Sequence, residues 1–81
     1  MKLVYSERFL KALREAPPQI QRTFLKQSQL LLHDIRYPSL QAKKYDEAQG
    51  LWQARVNRGW RFYFTIEDDE YRMQAIVPHP K

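Results

Sequence analysis

Arg55, Arg61 and His79 are the side chains in this sequence whose types suit chemistry at a phosphodiester. Cutting an RNA strand requires a group to take the 2′-hydroxyl proton, cations to hold the charge that builds on the phosphate oxygens, and a group to protonate the leaving 5′-oxygen. Two guanidiniums and an imidazole supply the cationic role and a proton-transfer role. Other chemistries lack their residues. The 81-residue chain has no cysteine and only two histidines, without His-x-x-x-His spacing, so no transition-metal site is expected. There is no glycine-rich phosphate loop, no Gly-x-Ser-x-Gly turn and no thiol nucleophile. The acidic run Glu67 to Glu70 lacks the glycine and further ligands of a cation loop and reads as a solvated hairpin tip. His33 falls at the end of a helical pattern, where an imidazole interacts with the last carbonyls.

Arg55 and Arg61 sit in runs of period two, and the register of those runs decides whether the two meet. Beyond Gly50 three strands are expected, Leu51 to Val56, Trp60 to Ile66 and Tyr71 to Val77, joined at Asn57-Arg58-Gly59 and Asp68-Asp69 as an antiparallel meander. A three-residue first loop, with Gly59 left-handed, sets Val56 opposite Trp60, Ala54 opposite Phe62 and Trp52 opposite Phe64. A two-residue loop would set Arg61 against Val56 on the core face and is rejected. In the accepted register Arg55 faces Arg61 on the outer side, with Gln53 and Tyr63 beside them. At about 5 Å two unit charges repel by roughly 0.8 kcal/mol in water and about 3 kcal/mol at an effective dielectric of 20. Either an anion belongs there, or the guanidiniums splay into solvent or reach Asp46 or Glu47. Arg61→Ala is therefore expected to leave stability unchanged or raise it. The third strand sets Ile66 opposite Tyr71, Phe64 opposite Met73, Phe62 opposite Ala75 and Trp60 opposite Val77. Continued parity then puts His79 on the core side, so a bend at Pro78 is needed to bring it to the arginines.

The preceding half supplies the layer that covers this sheet. Lys2 to Tyr5 reads as a strand, and Ser6 caps a helix reaching about Ala16 with Phe9, Leu10 and Leu13 on one face. Pro17-Pro18 ends that helix and starts a second, striped by Ile20, Phe24, Leu31 and Leu32, with Ser28 at the small position. Asp34 to Gly50 loses period and reads as a loop. The expectation is a single α+β domain over residues 1–81: an N-terminal helical hairpin packed on a twisted antiparallel β-sheet, in the order β-α-α-β-β-β. With 43% hydrophobic residues and eleven aromatics, an ordinary apolar core is affordable without disulfides.

The net charge is +5, distributed as +3 over residues 1–35, +4 over 36–61 and −2 over 62–81. A basic middle suggests a polyanionic or acidic partner. The N-terminus meets charge too early for a signal peptide, and no apolar run approaches the ~20 residues of a membrane span, so a cytoplasmic protein without membrane association is expected.

Tyr5-Ser6-Glu7-Arg8-Phe9, the helical hairpin, Pro38-Ser39-Leu40-Gln41-Ala42-Lys43-Lys44-Tyr45, Trp52-Gln53-Ala54-Arg55-Val56, Gly59-Trp60-Arg61-Phe62-Tyr63-Phe64 and His79-Pro80-Lys81 occur in an order that resembles the RelE/ParE superfamily of bacterial type II toxin-antitoxin systems. The resemblance implies two helices on a twisted sheet and, for RelE-like members, cleavage of messenger RNA on the ribosome without a metal ion or cofactor. It implies a cognate antitoxin as the neutralising partner. Carried over by position, Arg61 is similar to the arginine that contacts the scissile phosphate, Arg55 to a basic strand position, and His79 to a C-terminal histidine used as acid or base. Lys43, Lys44, Gln53, Arg58, Tyr63 and Lys81 complete the RNA-binding surface that this reading implies. The alternative is a ParE-like poison of DNA gyrase, or an inactive relative that binds without cutting.

Overall fold

Ser6 opens the first helix as its position requires, its hydroxyl accepting from the Phe9 amide at 3.1 Å. In a computed structural model, which describes residues 1–80, strand β1 (Lys2–Tyr5) leads through this cap into α1 (Glu7–Glu15) and α2 (Pro18–His33). Pro18 occupies the first turn of α2, where a missing amide hydrogen costs nothing. A short 3-10 turn (Pro38–Leu40) then leads to β2 (Lys43–Asp46), β3 (Leu51–Asn57), β4 (Trp60–Glu67) and β5 (Glu70–Pro78).

These strands form one five-stranded sheet in the order β1-β5-β4-β3-β2. Phe9, Phe24, Leu31, Leu40, Phe62 and Phe64 are fully buried between the helices and the sheet. Phe24 meets Phe62 edge-on, with ring centroids 5.1 Å apart.

The expected α+β architecture is present, with two differences in the sheet. First, β2 adds a strand within Asp34 to Gly50, so the order is β-α-α-β-β-β-β. Lys43-Lys44-Tyr45-Asp46 is a mostly exposed edge strand without apolar alternation, so it carries no period-two signal. Second, the sheet is mixed: β1 runs parallel to β5, from Lys2 opposite Glu70 to Tyr5 opposite Met73. The chain between them, through both helices and then β2, β3 and β4, provides the long connection that a parallel neighbour needs.

Both hairpins of the meander depart in detail from ideal alternation. Arg58 and Gly59 form a two-residue turn between paired Asn57 and Trp60, and Val56 is the extra residue of a bulge, so it does not face Trp60. Gly59 is not left-handed; its amide instead donates to Asn57 Oδ1 at 2.9 Å. The bulge absorbs the parity change that made a two-residue loop look impossible, and Arg55 still faces Arg61. At the second turn Asp68 and Asp69 have φ of 50° and 62°, the pairing conformation of a tight hairpin, which keeps Ile66 opposite Tyr71 and Phe64 opposite Met73. Beyond Met73 a second bulge intervenes. Gln74 has no partner, Ala75 faces Tyr63, Ile76 faces Phe62, Val77 faces Arg61 and Pro78 faces Trp60. Expected pairs Phe62 with Ala75 and Trp60 with Val77 are thus shifted by one.

Candidate functional site

Arg55 and Arg61 are cross-strand partners on the sheet face away from the helices, each half-buried. Neither is paired with a carboxylate among the described residues. The ion pairs there lie elsewhere: Arg72 is shared by Glu67, Asp68 and Glu70, Lys2 meets Glu70, the N-terminal amine meets Asp69, and Arg36 meets Asp34. The acidic tip is therefore engaged with Arg72 and the β1 edge, not merely solvated. Asp46 instead accepts from the Gln49 amide.

Arg61 is held by its own hairpin. Its Nη1 donates to the carbonyls of Asn57 at 2.8 Å, Trp60 at 3.0 Å and Arg58 at 3.2 Å. These bonds fix the guanidinium while leaving its positive charge unneutralised. Burial, and secondarily the charge of Arg55, lower its pKa below the ordinary guanidinium range, with Tyr63 acting in the opposite sense. Arg55 is fixed through its backbone. The Gln27 side chain, buried on α2, donates to the Arg55 carbonyl at 2.9 Å and to the Ser39 carbonyl at 3.0 Å, while Ser39 Oγ donates back to Gln27 at 3.3 Å. β2 pairs with β3 only as far as Gln53, so Gln27 satisfies a carbonyl the sheet leaves open.

The bulge at Gln74 brings His79 to the arginines. An uninterrupted strand directs residue 79 to the core side, but one extra residue reverses the faces after Met73. Ile76 consequently turns inward and is buried, while Val77 is exposed beside Arg61. The His79 amide then donates to the Gly59 carbonyl at 2.7 Å. The anticipated bend at Pro78 is not the device; a strand irregularity upstream is.

Arg55, Arg61 and His79 line one cavity with Lys43, Gln53 and Gln41. Its volume is about 170 Å³, enough for about six waters at liquid density or for one phosphate group. A larger, adjoining recess of about 760 Å³ is bounded by Arg58, Gly59, Arg61, His79 and Pro80. Gln41 was not anticipated. It closes the 3-10 turn in a left-handed conformation, φ 45°, and no sequence signal marks that geometry for a glutamine.

The remaining expected residues divide. Lys43 pairs with Gln53 and shares its face, whereas Lys44 pairs with Trp52 and belongs to the opposite face, away from the cavity. Strand alternation separates adjacent lysines in this way. Arg58 is exposed at the hairpin turn. Tyr63, on the outer side as the register requires, is half-buried, and its hydroxyl accepts from Gln53 Nε2 at 2.8 Å. Lys81 lies outside the described residues. Among those residues no cluster of histidine, cysteine and carboxylates suits a metal ion, and no helix is long and apolar enough to cross a membrane.

A helical hairpin laid on a five-stranded mixed sheet is the architecture of the RelE-like α+β fold, and the comparisons with solved structures agree. RelE from the Pyrococcus horikoshii OT3 RelE–RelB complex superposes with a TM-score of 0.78 at 18% identity, covering 95% of this chain and 92% of that one. YafQ from E. coli BL21(DE3) gives 0.78 at 17%, covering 95% and 91%. A YoeB/ParE toxin from Agrobacterium tumefaciens gives 0.77 at 11%, covering 99% and 100%. No family model and no curated protein matches the sequence. The chain therefore has the fold of toxins from type II toxin-antitoxin systems.

Proposed function

We propose that this protein is the toxin of a toxin-antitoxin pair and acts as a metal-independent, ribosome-dependent endoribonuclease on messenger RNA. The observation that carries this reading is the convergence of Arg55, Arg61 and His79 on one phosphate-sized cavity, with no carboxylate paired to either guanidinium among the described residues. Two like charges held face to face by a sheet and a hairpin have a preorganised demand for an anion.

In this mechanism the 2′-oxygen attacks the adjacent phosphorus and the bond to the 5′-oxygen breaks, leaving a 2′,3′-cyclic phosphate and a 5′-hydroxyl. Arg61 and Arg55 hold the non-bridging oxygens as negative charge grows on them. The His79 imidazole takes the 2′-proton or delivers one to the leaving oxygen. One imidazole serves one transfer at a time, so the other is left to water or to a group on a bound partner, which fits a reaction carried out on the ribosome. Lys43 and Arg58 lie on either side to grip the flanking backbone. Solved relatives include toxins in complex with RelB and with DinJ. A cognate antitoxin with an acidic segment would cover the same cationic face of this chain and silence it.

The test is a translation reaction programmed with a defined message and purified protein. Message cut within ribosome-bound codons by the wild type, lost in Arg61→Ala and reduced at least about 100-fold in His79→Ala, a typical general acid–base factor, supports the reading. Intact message with inhibited DNA supercoiling would replace it with the gyrase reading.

A further inference from the structure

Beside the cation cavity the outer face carries a pair of aromatic rings that the cleavage chemistry does not use. Tyr45 is the unpaired residue of a bulge in β2, between Lys44 opposite Trp52 and Asp46 opposite Leu51. The bulge leaves Tyr45 59% exposed, yet its ring rests against Tyr63, edge to face, with centroids 5.0 Å apart. Tyr63 is in turn anchored by Gln53, which is 8% exposed, lines the cavity and donates to the phenol oxygen at 2.8 Å. An exposed aromatic is ordinarily free to rotate away. Here three side chains in series, Gln53, Tyr63 and Tyr45, tie a large exposed ring to the floor of the phosphate site.

We propose that Tyr45 is a stacking platform for the base of a nucleotide next to the one whose phosphate sits between Arg55 and Arg61. This rests on the phosphodiester reading of the cavity and specifies its ligand as a single strand with unstacked bases. Gln53 and Tyr63 stand one same-face position along from the arginine rung, about 7 Å away at two residues of strand rise, and the Tyr45 ring lies 5.0 Å from that of Tyr63. That is within the reach from a phosphate to a neighbouring base. Cationic groove plus aromatic platform is the combination that holds single strands, because the backbone supplies charge and every base has a flat face. A duplex keeps its bases stacked on each other and cannot offer one to Tyr45.

The experiment is a fluorescence titration of the intact chain with a short, fully 2′-O-methylated RNA, which cannot be cut, and with the same strand carrying abasic sugars. Wild type should bind the complete strand about 5- to 150-fold more tightly than the abasic one, the range for loss of one stacked base. Tyr45→Ala should bind both equally, at the wild-type abasic affinity, while Tyr45→Phe and Tyr45→Trp keep the preference. A melting temperature lowered in Tyr45→Ala by only a few degrees, the loss expected for one aromatic pair, separates this loss of binding from unfolding. The proposal fails if the wild type does not distinguish the strands, or if Tyr45→Ala distinguishes them as the wild type does; the ring is then left to a protein partner. Arg61→Ala reports separately on the cavity. If it binds both strands as tightly as the wild type, the phosphate reading itself is overturned, whereas a loss on both strands sustains it whatever Tyr45 does.

Discussion

Replacing Arg55 by glutamine should make the protein more stable while weakening its hold on phosphate. The substitution removes one of two facing charges and little else, because the hydrogen bond from Gln27 goes to the Arg55 backbone carbonyl and survives. Unit charges about 5 Å apart repel by roughly 0.8 kcal/mol in water and about 3 kcal/mol at an effective dielectric of 20. Both side chains are half-exposed, so the lower figure governs, and a gain of about 1 kcal/mol raises the melting temperature of a domain this size by about 4–8 °C. Arg61 is not equivalent. Its guanidinium bonds three hairpin carbonyls, and hydrogen bonds from a charged donor contribute about 1.5–3 kcal/mol, which offsets the relieved repulsion. Arg61→Gln should therefore show no gain, which narrows the expectation, drawn from the strand pairing alone, that removing Arg61 leaves stability unchanged or raises it. Calorimetric melting at low salt and at ~1 M salt, where the Debye length falls to about 3 Å, separates the terms: the Arg55→Gln gain should vanish at high salt. Added phosphate, compared with chloride at equal ionic strength, should raise the wild-type melting temperature and leave Arg55→Gln unmoved. A lower melting temperature for Arg55→Gln at low salt, or a gain indifferent to salt, would refute the claim that these two charges oppose each other.

Two further outcomes test the frame around the site. Deleting Gln74 should be tolerated, because it removes the unpaired residue of the β5 bulge and leaves Ala75, Ile76 and Val77 facing the same partners; the His79 amide should stay protected from hydrogen exchange by the Gly59 carbonyl, and its exposure would falsify the bulge as the device that aims His79. Glu70 is held below the ordinary carboxylate range chiefly by the hydrogen bond from Arg72, so its contribution to stability is complete above the ordinary glutamate value and is lost as pH falls through the depressed one. Urea midpoints of Glu70→Gln should accordingly lie below those of the wild type at neutral pH and converge with them in acid; a gap that persists in acid would assign the loss to something other than the carboxylate.

Local patterns in the chain determined the helical hairpin, the central meander and the facing of Arg55 on Arg61. Ser6, Pro17 and Pro18 punctuate the helices by backbone chemistry alone, and a one-residue slip would drive Arg61 into the core. What escaped the sequence has a common physical cause. A bulge residue is an ordinary amino acid left over where two paired strands align with unequal lengths, and neither Val56 nor Gln74 nor Tyr45 carries a mark of it. The edge strand β2 is specified by pairing with β3 and not by its own periodicity, and Lys43 parts from Lys44 only once that pairing exists. The types of side chain that suit a phosphate were thus written in the primary structure. Whether His79 meets the arginines depends on the parity of a whole strand, which one unpaired residue inverts, so only the assembled sheet could decide it.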